Sequence, residues 1–282
     1  MKSIDYTKIQ LFDGAMGTRL LNLGFAFRPM MEELNITHPE IIRGIHKEYV
    51  DAGADFITTA TFGVNGFKYQ DSEYSVKEVV EAAIANARVH SHNAFIVLDI
   101  GPIGKLMEPY GDMSEDKCYA YFKEIIDAGK DSVDAVLFET FMDLEEIKTG
   151  ILAAKENSTL PVFATMTFDQ NGKTMMGVSV EDMVMTFEAL NVDVLGVNCS
   201  WGPQELIPIV QKICSLSKTP VIVQPNAGIP CTNEDGSLHY LVDAKKFTDV
   251  TQKYLDLGVK IIGGCCGTDD ETIRQCSNRF KK

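Results

Sequence analysis

A (β/α)8 barrel of parallel strands is the fold class that the sequence predicts, and three observations predict it. Eight short apolar runs recur along 282 residues, each closed by turn residues. Stretches with helical periodicity lie between them. The runs are apolar enough to be buried on both faces, as in a parallel sheet wrapped by helices. An open doubly wound sheet is the alternative, and eightfold alternation without a break in composition favours the closed form.

Taken in order, the runs are Ile9-Gln10-Leu11-Phe12-Asp13, Asp55-Phe56-Ile57-Thr58-Thr59, Phe95-Ile96-Val97-Leu98-Asp99 and Ala135-Val136-Leu137-Phe138-Glu139. Then come Val162-Phe163-Ala164-Thr165-Met166, Val194-Leu195-Gly196-Val197-Asn198, Val221-Ile222-Val223-Gln224 and Lys260-Ile261-Ile262-Gly263-Gly264. Helices are expected over 39–52, 76–89, 115–129, 143–154, 180–190, 203–214 and 244–257. In the first of these, Ile41, Ile42, Ile45, Tyr49 and Val50 make an apolar stripe. No linker, low-complexity tract or long charge run interrupts the pattern, so residues 1–282 read as one domain.

Composition narrows the function. Forty acidic against 26 basic residues give a net charge of −14. A field of that sign repels phosphate backbones and anionic lipid, which argues against nucleic-acid and membrane partners. No apolar run is long enough to span a bilayer, and no signal peptide follows Met1, so a cytoplasmic location is expected. Seven cysteines in such a chain are not expected to form a disulfide framework.

In a barrel of this kind chemistry sits where strands end, so the strand ends are the segments to compare. Cys199 follows strand six, and Cys265 with Cys266 follows strand eight. Only one strand separates those two on a shared rim, so three thiols can converge on one zinc ion, with zinc–sulfur bonds of about 2.3 Å. A fourth position left to a weak ligand or a substrate is the pattern of a catalytic zinc site. A lone buried cysteine is ordinarily a small apolar residue, and Cys118, Cys214 and Cys276, on expected helices, are read that way. Cys231 falls in an expected loop. Asp13-Gly14-Ala15-Met16-Gly17-Thr18 offers a tight turn whose amides suit an anion and an aspartate that suits an ammonium group. Glu139 is a carboxylate closing an apolar strand, a place where packing gains nothing from it.

Other chemistries fail their tests. There is no phosphate loop with Lys-Ser or Lys-Thr, and Gly14-Ala15-Met16-Gly17 does not match the dinucleotide fingerprint. His38, His46, His90, His92 and His239 show no metal-binding spacing near a strand end.

The strand-end segments Asp13-Gly14-Ala15-Met16-Gly17-Thr18, Gly196-Val197-Asn198-Cys199, Pro225-Asn226-Ala227-Gly228 and Gly263-Gly264-Cys265-Cys266-Gly267-Thr268 resemble those of the homocysteine S-methyltransferase family. The resemblance runs from about residue 9 to residue 275. Glu32-Glu33-Leu34-Asn35-Ile36-Thr37-His38-Pro39 and Gly101-Pro102-Ile103-Gly104-Lys105-Leu106 are most similar to the homocysteine-binding barrel of cobalamin-dependent methionine synthase.

This resemblance implies a zinc ion held by Cys199, Cys265 and Cys266, with Asn226 able to approach the metal when no substrate is bound. It implies that Asp13 and Glu139 hold the amino group of L-homocysteine, that Asn198 lies at the substrate site, and that amides near Gly14 and Ala15 take the carboxylate. The implied reaction is methyl transfer to the homocysteine thiol, giving methionine. Two departures stand out: Ala60 where relatives often carry asparagine, and Asp269-Asp270 where they often show Thr-Pro. The chain runs 16 residues past Cys266, leaving no room for folate or corrinoid domains, so a methyl-corrinoid on a separate protein is the expected donor. S-methylmethionine is the alternative donor, and a non-catalytic zinc- or thiol-binding barrel is the alternative function.

Overall fold

Apolar residues on both faces of a short strand demand cover from both sides, and a ring of strands inside a ring of helices supplies it. The protein, in a computed structural model that describes residues 3–232 and 238–281, adopts that arrangement. Its parallel strands are β1 (Gln10–Leu11), β2 (Phe56–Thr58), β3 (Phe95–Ile100), β4 (Ala135–Phe141), β5 (Val162–Met166), β6 (Val194–Cys199), β7 (Val221–Pro225) and β10 (Ile261–Ile262). The order around the sheet is β1-β10-β7-β6-β5-β4-β3-β2. A parallel bridge between Phe12 and Phe56 joins the two ends and closes the barrel. The helices are α1 (Gly17–Asn22), α2 (Leu34–Thr37), α3 (Pro39–Ala52), α4 (Val76–Val89), α5 (Glu115–Gly129), α6 (Leu144–Asn157), α7 (Val180–Ala189), α8 (Ile207–Leu216), α9 (Ala244–Asp256) and α10 (Asp270–Phe280). No helix among the described residues is long and apolar enough to cross a membrane.

Side-chain alternation divides the interior into two levels. Phe12, Phe56, Val97, Leu137, Phe163, Val194, Ile222 and Ile261 form an apolar plug, floored by Ile4 and Tyr6. The rings of Phe12 and Phe56 stack with centroids 4.5 Å apart. Burying each aromatic there contributes about 1.5–3 kcal/mol. Two residues further along, the same inward face carries Thr58, Asp99, Glu139, Thr165 and Gln224, and Asn198 follows four residues beyond Val194. The plug is therefore dry, and the level above it is polar. The opposite faces of the strands pack beneath the helices in a second, larger core.

Aspartates clamp the strands in pairs at the far rim. Leu11 donates its amide to Asp55 Oδ2 at 2.8 Å, Ile96 to Asp134 Oδ2 at 2.9 Å, and Val162 to Asp193 Oδ2 at 2.8 Å. Each aspartate returns its own amide to the carbonyl of the same residue. The pairs β1–β2, β3–β4 and β5–β6 are fastened this way, while Lys260 stands before β10.

Several boundaries differ from the sequence reading. The eighth strand is only Ile261–Ile262, and the first only Gln10–Leu11. α6 begins at Leu144 because Asp143 caps it, accepting the amides of Glu145 and Glu146. α8 begins at Ile207 rather than Pro203, so that Pro208 falls in the first turn, where its missing N–H costs no hydrogen bond. Cys231 was expected in a loop but lies in β8 (Pro230–Thr232), paired antiparallel with β9 (Leu238–Tyr240). α1 and α2 are too short to have shown a periodic stripe.

Candidate functional site

The three cysteines come together. Cys199 ends β6, Cys265 and Cys266 follow β10, and only β7 lies between. Their sulfur atoms all lie within 4.8 Å of one another, the sole such group of potential metal ligands among the described residues. Cys118 and Cys276 are buried in the helix-side core and Cys214 packs against it, as expected of apolar residues.

The backbone around these thiols is held in place at some cost. Cys199 (φ 54°) and Ser200 (φ 65°) are both left-handed, a conformation that costs a side-chain-bearing residue about 1–3 kcal/mol and persists only when its surroundings enforce it. Here the Ser200 hydroxyl accepts the Phe168 amide at 3.1 Å and donates to the Asn198 carbonyl at 3.2 Å. The Trp201 amide donates to the Cys199 carbonyl at 2.7 Å, and the Asn226 amide to the Trp201 carbonyl at 3.0 Å. On the other arm, the Cys265 amide donates to the Pro225 carbonyl at 2.9 Å, and the Ala227 amide to the Cys266 carbonyl at 2.9 Å. Glycine is required at Gly264, where a Cβ would stand 2.2 Å from Thr268 Oγ1.

The sulfurs are electrostatically unequal. Hydrogen bonds from Cys265, then Cys266, favour the Cys199 thiolate, and the Asn226 side chain adds another. The same contacts, with burial, hold Cys265 well above an ordinary thiol. Asn226 is 5% exposed, and its Oδ1 has no hydrogen-bond partner. Three convergent thiols with an orphaned amide oxygen beside them fit a thiophilic, tetrahedral metal.

The thiols open into a cavity of about 690 Å³. Asp13, Asp99 and Glu139 line it together with the cysteines, Gly14, Ala15 and Ala60. Asp13 accepts the Thr58 amide at 2.8 Å and the Thr58 hydroxyl at 3.0 Å. Burial nonetheless pushes its carboxyl up to about 7, against the lowering effect of those bonds. Burial, then the charges of Asp13 and Cys199, raises Glu139 to about 8. Asp99 is held well above the ordinary carboxylate range by burial, then by Glu139 and Asp13.

Two residues expected at the substrate are hydrogen-bonded within the protein. Asn198 is fully buried behind Glu139: its amide nitrogen donates to Thr140 Oγ1 at 2.7 Å and Glu139 Oε2 at 3.3 Å. Its oxygen accepts the Thr140 amide at 2.8 Å and the Thr165 hydroxyl at 2.9 Å. Both of its side-chain polar atoms are engaged, one of them with Glu139, and the residues that line the cavity include Glu139 and Thr140 on its far side. The Ala15 amide, expected to receive a carboxylate, donates to Thr268 Oγ1 at 3.2 Å, and Thr268 donates in turn to the Cys265 carbonyl at 2.7 Å. Thr268 thus ties the Asp13 turn to the cysteine loop. Two site residues escaped the sequence reading, Asp99 and Thr268. Asp99 had a signal, since it ends its strand as Asp13 and Glu139 end theirs.

Known proteins resemble this arrangement along its length. Methionine synthase of Mycobacterium leprae is 29% identical over 291 residues, covering 95% of this chain but 24% of its own length. The chain thus spans about a quarter of that relative. Homocysteine S-methyltransferase 1 of Brassica oleracea var. italica is 28% identical over 306 residues, covering 96% of this chain and 93% of its own. The metallated form of the homocysteine methyltransferase MmuM from Escherichia coli shares the fold, with a TM-score of 0.83 at 21% identity and 96% of both chains covered. The sequence model of homocysteine S-methyltransferase matches residues 10–280, every barrel strand included, and the chain belongs to that family.

Proposed function

We propose that the protein transfers a methyl group to the thiol of L-homocysteine, giving methionine, with one zinc ion held by Cys199, Cys265 and Cys266. The observation that carries this reading is the convergence of three sulfurs within 4.8 Å at the base of an acid-lined cavity. The metallated state of the fold-matched Escherichia coli enzyme supports a metal here. Asn226 is the reserve ligand on this reading, because its buried oxygen lacks a partner.

When bound, zinc supplies Lewis acidity that favours the thiolate of an incoming thiol at neutral pH. The chain's own residues do the rest. The cysteines fix where the acceptor sulfur lies, Asp13 and Glu139 face its ammonium group, and Asn198 holds Glu139 in that orientation. The aliphatic and aromatic lining excludes water from the sulfur, leaving it poorly solvated and reactive. The thiol gives up its proton as the thiolate forms, the sulfur then donates a lone pair to the methyl carbon to make the new S–C bond, and the donor departs with the bonding pair of the broken bond.

The donor on this reading is a methyl-corrinoid, supported by the mycobacterial methionine synthase relative. S-methylmethionine is the second reading, since the plant homocysteine S-methyltransferase is matched over 93% of its own length by this one barrel. Purified protein given L-homocysteine and either methylcobalamin or S-methylmethionine decides between them. Methionine from methylcobalamin is expected, turnover with S-methylmethionine alone would exclude the corrinoid donor, and zinc near zero would sink the zinc mechanism.

A further inference from the structure

We infer that Asp99 is a third substrate-binding carboxylate, which with Asp13 and Glu139 receives the α-ammonium group of the acceptor and makes the site selective for amino thiols. The inference rests on the homocysteine reading above and adds a residue and a selectivity to it.

Asp99 lies on β3, 5% exposed, with its side chain against the cavity that holds the cysteines. The acids beside it have protein partners: Asp13 has Thr58, and Glu139 has Asn198. Asp99 Oδ1 has none. A buried carboxyl oxygen without a donor loses the solvation it had in water and recovers nothing in the folded chain. A donor must come from outside the chain if that loss is to be offset.

The required donor is a cation. The charged groups that bear on Asp99 are Glu139, Asp13 and Glu32, all acids. Two cationic side chains line the cavity, Arg28 and Lys68. Lys68 is turned to the Pro102 carbonyl at 3.2 Å and is flanked by Glu32 and Glu146. A bare divalent ion does not fit the three carboxylates, since only the cysteine group gathers its ligand atoms within 4.8 Å among the described residues. An ammonium group fits a wider acidic pocket, since its three N–H bonds diverge and water can complete the set. An α-amino acid whose thiol reaches the cysteines carries that group into the same cavity.

The test compares two thiols on two proteins by titration calorimetry of the zinc-loaded chain. L-homocysteine carries the ammonium group, and 4-mercaptobutanoate is the same molecule without it. In Asp99→Asn, L-homocysteine should bind about 10- to 100-fold more weakly, as expected for one charge-assisted contact. Binding of 4-mercaptobutanoate should change by less than about threefold. The unliganded variant should also melt at a higher temperature than wild type, because one of several crowded buried acids has been made permanently neutral; a merely structural Asp99 would give a lower one. An unchanged homocysteine affinity, or equal losses for both thiols, would overturn the inference while leaving the wild-type function intact. Failure of wild-type protein to bind L-homocysteine at all would overturn both readings together.

Discussion

Asn198 Oδ1 accepts the backbone amide of Thr140 at 2.8 Å, joining the ends of β6 and β4 inside the barrel. Thr140 is left-handed (φ 66°), and the register between β4 and β5 shifts at this point, so the bond holds an irregular strand end that carries Glu139. Because Asn198 precedes Cys199, one side chain sets both the carboxylate and the approach to the first thiol. Asn198→Ala should destabilise the fold by about 1–3 kcal/mol, through buried groups left unpaired. Urea denaturation measures that loss, and the affinity for L-homocysteine should fall with it.

The cysteine cluster makes the second prediction. Cys265→Ser replaces a soft ligand with a hard one, and zinc content should drop from about one per chain to below about a tenth, with turnover lost in parallel. Chelation of wild-type protein should abolish turnover, and added zinc should restore it. Metal analysis of both samples is the check, and full zinc with full activity in the variant would remove Cys265 from the site.

The buried acids give the protein a defined response to pH. The Asp13 carboxyl is raised from its ordinary value near 4 to about 7, so the folded state binds more protons than the unfolded chain between those values. Stability from this group is therefore complete below pH ~4 and is lost as pH rises through ~7. His46 acts in the opposite sense. It is fully buried, with neither ring nitrogen partnered, and burial lowers it to about 4, so its contribution is lost as pH falls from ~6.5 toward ~4. Comparing Asp13→Asn with wild type across pH 4–8 isolates the first effect. The stability advantage of the variant should grow by about 1 kcal/mol or more toward pH 7. A difference that is flat in pH would refute the assignment.

Gly196 sets a packing limit in the strand that carries Cys199. A Cβ at this position would stand 1.8 Å from the Ile222 carbonyl oxygen on β7, a backbone atom that cannot turn aside. Gly196→Ala should cost on the order of 3 kcal/mol or more and appear as insoluble protein or a large fall in melting temperature.

Much of this was legible in the sequence because strand ends are conspicuous. An apolar run followed by Asn198-Cys199 or Gly264-Cys265-Cys266 states both a place and a chemistry, and the barrel rule brings the two together. Asp99 was legible only as a strand end, since nothing in a linear pattern shows that one aspartate has a partner and another has none. The engagement of the Ala15 amide by Thr268 joins positions 253 residues apart, and a local reading of the glycine turn could not foresee it. The β8–β9 hairpin was hidden because two three-residue strands carry no measurable alternation.

The aspartate clamps at the far rim bear on how the molecule comes apart. Three neighbouring couples of strands are laced, and the remaining couple, β7 with β10, is the one from which Cys265 and Cys266 emerge. An ion bridging those thiols to Cys199 would act as the missing stitch, fastening from above an arc that lacks one below. Removal of the ion should then loosen that quarter of the wall first, and amide exchange in β10 should quicken while β3 and β4 stay protected.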